Sequence, residues 1–309
     1  MIERVIDMKN NKTIMATFAA LIAQVIFGFS FMFTKIALGY ASPMTVIADR
    51  YIAAFLGLSV VMILKKVPLN FGKNVWKLIL MSVFQPVLYF LFESYGIDMT
   101  TSAFSSIMIS LIPIVSMISG IFILKEIPAP LQYLFAVLSV GGVVVMALSG
   151  NADGTVTILG IILLLGAVLS SVGYNIASRK ISKEFSAFER TYAMTIIGLV
   201  FFVSVAFVEN IHNPVKLLSS YAEPSYTIAI LYLGVVSSVV AFLLLNYANT
   251  YLPVTKTTVF ANVTTVVSIF AGVLFLDEKL SFASAISATM IIIGVCGVQM
   301  IDMKKQLTK

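Results

Sequence analysis

Residues Ala103–Leu148 read AFSSIMISLIPIVSMISGIFILKEIPAPLQYLFAVLSVGGVVVMAL, and Thr255–Met300 read TKTTVFANVTTVVSIFAGVLFLDEKLSFASAISATMIIIGVCGVQM. At a constant offset of 152, Val115 falls on Val267, Ser116 on Ser268, Gly120 on Gly272 and Glu126 on Glu278. Ala136 likewise meets Ala288, and Gly142 meets Gly294. Each copy is an apolar run, a short charged break with one fixed glutamate, and a second apolar run. Chance identities scatter through hydrophobic sequence, but a shared break with Gly and Glu six residues apart marks one unit used twice.

The rest of the chain has the same texture. It is 60% hydrophobic and 11% charged, with mean hydropathy +1.03, against about 25% charged in a soluble domain. A bilayer hides that much apolar surface and a water-soluble fold does not. The first apolar run, about 14–38, is too long for a cleavable signal core and is expected to stay as a span. The single cysteine, Cys296, lies in an apolar run, so no disulfide framework or cysteine metal cluster is expected.

Ten spans can be drawn, each near the roughly 20 residues a helix needs to cross hydrocarbon. They are Ile14–Ala37, Met44–Leu64, Val75–Ile97, Ser102–Leu124 and Pro130–Ser149, then Val156–Ser178, Phe188–Val208, Tyr226–Ala248, Val254–Leu276 and Phe282–Ile301. Helices are required because lipid offers no partner to an open backbone. With the N-terminus in the cytoplasm, 16 of the 20 Lys and Arg fall on the inner side, and only Lys35, Arg50, Lys216 and Lys279 lie toward the outside. That asymmetry places both termini inside and accounts for the net charge of +6 without nucleic acid. Five spans per unit is an odd number, so the units, 14–149 and 156–301, enter the membrane from opposite sides. The expected fold is an all-α membrane protein of two inverted five-helix repeats, an arrangement common in secondary transporters.

The stretch GFSFMFTKIALGYASPMTVIADR at Gly28–Arg50 resembles the first two helices of the drug/metabolite transporter superfamily, EamA-type, in its lysine (Lys35), loop proline (Pro43) and helix-two arginine (Arg50). Pro113, Gly120 and Glu126 match that family's helix-four pattern; the second copy keeps Gly272 and Glu278 but has Thr265 in the proline's place, and Phe27 stands where a tryptophan is usual. The resemblance runs over about residues 14–301. It implies a ten-helix bundle with a central cavity that moves small metabolites, amino acids or drug-like molecules, often outward, across a plasma membrane of prokaryotic type.

Four ionisable residues lie inside the spans away from the cytoplasmic rim: Lys35, Asp49, Arg50 and Glu93. On this topology they share the outer third of the first repeat, and buried charges of opposite sign are expected to pair. They are candidates for an outer gate or a charged substrate path, with a pair between Arg50 and Glu93 and with Glu93 as proton carrier. The bland alternative is that Lys35 snorkels and the others orient helices. Nearer mid-membrane, Gln24, Gln85, Tyr89 and Asn262 are the cavity candidates, against ordinary interhelical hydrogen bonding. Asn175, Asn246 and Asn249 lie nearer the inner side. Hydrolase and metalloprotease motifs and glycine-rich phosphate loops are absent from the sequence. The expected protein is therefore a transporter without cofactor or metal, working on a small solute in a lipid bilayer, with a homodimer left open. The alternatives are a carrier for phosphorylated or nucleotide-linked metabolites, and an intramembrane enzyme or accessory subunit.

Overall fold

The computed structural model describes residues 2–69, 72, 74–124, 129–150, 156–212, 216–252, 260–278 and 282–307. Among these every regular element is helical. In chain order they are α1 (Ile2–Leu38), α2 (Pro43–Lys65), α3 (Val75–Asp98), α4a (Ser102–Ile109), α4b (Ile112–Leu124) and α5 (Pro130–Gly150). The second half has α6 (Ile158–Ile181), α7 (Ala187–Glu209), α8 (Pro224–Tyr251), α9 (Ala261–Phe275) and α10 (Phe282–Leu307), with two short helical turns, Lys216–Ser219 and Ser220–Ala222, between α7 and α8. Six of them (α1, α2, α3, α6, α7, α8) are long and apolar enough to cross a membrane by length and composition, and shorter apolar stretches, Ser102–Ser116, Pro130–Gly142, Ala261–Phe275 and Ala285–Gly297, occupy the places of the other expected spans. Large apolar side chains such as Phe18, Leu64, Val137 and Phe270 point outward, as lipid-facing positions do.

Helix ends follow local sequence. Ser42 caps α2 by accepting from Thr45 N, Pro43 takes the first helical position, and Lys66 ends the helix at φ 48°. At α7, Ser186 and Glu189 form a reciprocal capping box. Two expected spans are interrupted. In α3 the residue before Pro86, Gln85, leaves helical geometry (φ −149°, ψ 116°) within a widened turn at Val83–Leu88, because proline crowds its predecessor out of the α region. The fourth span divides after Ile109 and restarts at Ile112; Pro113, which has no N–H to give, sits in the first turn of the second piece. A further widened turn, Tyr232–Ala241, lies inside α8.

The two halves repeat each other's contacts. A Cβ on Gly142 would meet Ser287 O at 2.8 Å and Ile291 at 2.9 Å, and one on Gly294 would meet Phe135 O at 2.6 Å and Ser139 at 2.7 Å. Gly142 and Gly294 are related by the 152-residue offset, and so are Phe135 with Ser287 and Ser139 with Ile291. The contact is thus reciprocal across α5 and α10, with rising numbers on one helix meeting falling numbers on the other. The two helices run antiparallel about a local pseudo-two-fold axis, with glycines where they touch. A second correspondence lies at the helix ends. Lys35 Nζ donates to the carbonyls of Ile97 (2.9 Å) and Thr100 (2.6 Å) at the end of α3. Arg179 Nη1 donates to those of Asn249 (2.7 Å) and Thr250 (2.6 Å) at the end of α8. Each is a cation in the last turn of its half's first helix, satisfying the orphan carbonyls of its half's third.

Candidate functional site

A cavity lies between helices of both halves. Its walls come in equivalent pairs: Phe90 and Phe242, Glu93 and Leu245, Ile109 and Ala261, Ile112 and Thr264 are each 152 residues apart. Phe27 and Phe31 of α1 face Ser171 and Asn175 of α6, at the 144-residue spacing that also separates Lys35 from Arg179. The site therefore straddles the pseudo-symmetry. The cavity is about 60 Å³, room for roughly four to six waters.

Its chemistry is less symmetrical than its walls. Arg50 is buried; Nε donates to Ser238 Oγ (2.7 Å) and Nη2 to Ser237 Oγ (2.9 Å), both in the widened turn of α8. The guanidinium lies 4.0 Å from the centre of the Phe90 ring, a cation–π contact in a desolvated place. Nη1 has no hydrogen bond among the described residues. Glu93, equally buried, accepts from Tyr89 OH (2.9 Å) at Oε1, and Oε2 has no partner among the described residues. Gln85 lines the same space with its side-chain amide unbonded to the described residues. The break before Pro86 sets this side chain off the regular helical track.

Of the residues singled out from sequence, Gln24, Gln85, Tyr89, Arg50 and Glu93 line the cavity. Gln24 Oε1 accepts from Thr264 Oγ1 at 2.6 Å, tying α1 to α9. Asn262 does not line it: its Nδ2 lies 3.3 Å from Cys296 Sγ of α10, and its neighbours Ala261 and Thr264 face the cavity instead. The expected four-charge cluster is also dispersed. Lys35 is bound to carbonyls at the end of α3, and Asp49 accepts from Tyr226 OH at 2.5 Å. Asp49 and Arg50 are sequence neighbours, but a helix turns about 100° per residue, so they meet different partners. Arg50 and Glu93 form no ion pair within 4.0 Å, although each lies within electrostatic reach of the other. The expected direct pair is replaced by hydroxyl partners and the ring of Phe90.

Two features escaped the sequence reading. Arg190 is fully buried, donating to Ser178 Oγ (2.7 Å), Asn246 O (2.8 Å) and Thr250 Oγ1 (2.6 Å), while Asn246 Oδ1 accepts from Tyr174 and Ser178. This network ties α6, α7 and α8 together. In sequence Arg190 is one of the 16 inner-side cations and carries no sign of burial; the capping pair Ser186–Glu189, which seats it in the first turn of α7, is the local signal that bears on it. The second is the role of Glu278. Its carboxylate accepts from Ser102 N (2.8 Å), Ser102 Oγ (2.8 Å) and Ala103 N (3.0 Å), capping α4a from the other half of the chain. A Cβ on Gly272 would stand 2.5 Å from Glu278 Oε2, so the repeated Gly-x5-Glu spacing leaves room for the glutamate to fold back. Its counterpart Glu126 lies outside the described residues.

Comparison with known proteins agrees with this architecture. The model of the EamA-like transporter family matches twice, over residues 14–148 and 158–300. The chain is 35% identical to "Uncharacterized transporter YcxC" of Bacillus subtilis (strain 168), over 91% of this chain and 92% of that one. It is 24% identical to an "Uncharacterized transporter" of Archaeoglobus fulgidus, over 86% and 91%. A solved crystal structure, 18% identical, superposes with TM-score 0.63 over 92% of this chain and 97% of the other, and so shares the fold. Two family matches in tandem and relatives named as transporters point to membrane transport rather than to an enzyme. This chain belongs to the EamA-like transporter family.

Proposed function

We propose that the protein is a secondary transporter that carries small solutes across the plasma membrane by alternating access, with ten crossings, both termini in the cytoplasm, and export as its direction. The observation that carries this reading is the position of the cavity. It lies where equivalent residues of the two halves face each other, and with the halves inverted, exchanging their conformations would open the same site to the opposite side. The antiparallel, reciprocal packing of α5 and α10 supports an inverted relation between the repeats. A carrier for phosphorylated metabolites fits less well. Phosphate recognition draws on several cations, and here Arg50 faces the cavity while Lys35 is engaged with carbonyls at the end of α3.

The test is solute exchange in proteoliposomes. Purified protein is expected to accelerate counterflow of a radiolabelled solute over protein-free vesicles. Equal rates for every solute in a broad panel of metabolites would refute transport. Adding a pH gradient to the same vesicles separates proton coupling from facilitated exchange. Coupling through Glu93 predicts gradient-driven accumulation in the unsubstituted protein, and only gradient-independent exchange in Glu93→Gln.

A further inference from the structure

We infer that Glu278 is a releasable latch. Its bonds to the start of α4a hold the two halves together at one end of the molecule, and the cavity opens at that end only when they part. This rests on the transport reading and adds the contact that switches. The topology proposed above puts that end outside.

When two inverted repeats exchange conformations, the second state is the first with the halves interchanged. Every contact between the halves then has a counterpart at the 152-residue offset, and contacts fall into two kinds. The α5–α10 crossing is its own counterpart, because Gly142 against Ser287 and Ile291 becomes Gly294 against Phe135 and Ser139. Such a contact persists through the exchange. The Glu278 contact is of the other kind. Its carboxylate accepts from Ser102 N, Ser102 Oγ and Ala103 N, and interchange moves these bonds to Glu126 with residues 254 and 255, at the opposite end. The sequence keeps what that counterpart requires: Glu126 repeats the carboxylate, and Thr255 offers a hydroxyl beside the backbone N–H groups.

Other bonds between the halves close the same end. Ser42 Oγ donates to Glu209 Oε2 (2.9 Å), Ser220 Oγ to the carbonyl of Tyr40 (3.0 Å) and Ser268 Oγ to that of Ser102 (3.3 Å). Among the described residues α9 packs mainly on α4a, the piece of the fourth span nearest that end. The bonds of Glu278 are only part-buried, so water reaches both partners once they separate. Release therefore costs some charge-assisted hydrogen bonds and strands no ion in hydrocarbon. Arg50 differs. The caps Ser42 and Ser186 set α2 against α7 at a spacing of 144, which puts Met194 at the place of Arg50, and the 152 offset puts Gln85 and Pro86 at the places of Ser237 and Ser238. Its bonds to those serines have no hydrogen-bonded counterpart and cannot alternate.

The experiment uses the full-length protein in right-side-out and inside-out membrane vesicles. Cys296→Ser removes its one thiol, and Ser171→Cys places a thiol on the cavity wall. A membrane-impermeant methanethiosulfonate is expected to react faster from the face away from Glu278. Glu278→Gln is expected to shift the ratio of the two rates toward the Glu278 face by about ten-fold, and Glu126→Gln to shift it the other way. An unchanged ratio in Glu278→Gln overturns the latch. Should that variant fail to fold, Ser102→Cys with Glu278→Cys decides, in the Cys296→Ser background. Bridging the pair with a short bis-methanethiosulfonate is expected to abolish counterflow, and reduction to restore it. Full counterflow with the bridge in place overturns the latch and leaves the transport reading standing. A shifted labelling ratio without counterflow of any solute upholds the latch and overturns the transport reading.

Discussion

At the scale of single residues, the decisive contrast is between charges that are spent and charges that are open. Lys35, Asp49 and Arg190 have their charges engaged by carbonyls, a phenol and an inner polar network respectively. Arg50 and Glu93 each keep an open position in one cavity. Replacing either by the apolar residue of the other half leaves the remaining charge buried alone. Arg50→Met and Glu93→Leu are each expected to cost about 1–3 kcal/mol, read as a lowered midpoint in a detergent melt. The double variant should be more stable than the sum of the two losses implies, while losing transport. Strict additivity would show that the two charges do not sense each other. Glu184 behaves differently, outside the membrane. Its hydrogen bond from Lys77 (2.6 Å) holds its carboxyl below the usual carboxylate range. A lowered folded-state pKa stabilises above the unfolded value of about 4.3 and stops doing so as pH falls through the folded one. Because the pair is solvent-screened, Lys77→Ala should leave the melting midpoint at pH 7 unchanged within error.

At the scale of elements, the second copy of the Gly-x5-Glu spacing, Gly272 to Glu278, acts as a cap reaching between halves. Glu278 supplies acceptors to the first N–H groups of α4a, where the helix has no partners of its own and its dipole favours an anion. Glu278→Ala should lower stability by about 1–2 kcal/mol. Gly272→Ala should cost a comparable amount, since its methyl would occupy the place of Oε2. The two act through one contact, so the double variant is expected to be little worse than either single, measured as thermal midpoints of the purified proteins. Full additivity would mean that the glycine serves something other than the glutamate. The α5–α10 crossing carries a parallel expectation. Gly142→Leu and Gly294→Leu should both destabilise, by about 1–3 kcal/mol each for an overpacked contact, because the packing there is reciprocal.

At the scale of the whole molecule, the basic residues and the antiparallel packing of α5 and α10 support the topology proposed above. An alkaline phosphatase fusion after Gly154 is expected to be active, because the proposed topology puts that position outside. A fusion after Lys183 is expected to be inactive, because the proposed topology puts that basic loop in the cytoplasm. The opposite pattern of activities would invert the orientation of every element named above, and would place Glu278 and Lys35 at the inner end.

What the sequence determined alone was whatever depends on composition and period. The apolar runs, the duplicated unit and the Lys/Arg asymmetry were legible in it, because partition into lipid and the positive-inside bias act on each segment separately. Local caps belong to the same class: Ser42–Pro43 and Ser186–Glu189 mark helix starts through contacts only a few residues apart. The partners of buried charges were not legible. Arg50 finds Ser237 and Ser238 at 187 and 188 residues' distance, and Glu278 finds Ser102 at 176. Asn262, polar and near mid-span, looked like a cavity residue and faces α10 instead. One helical residue turns about 100° from the next, so depth can be read from a span while azimuth comes only from packing. Tertiary structure alone decided which buried charges were satisfied and which were left facing the cavity.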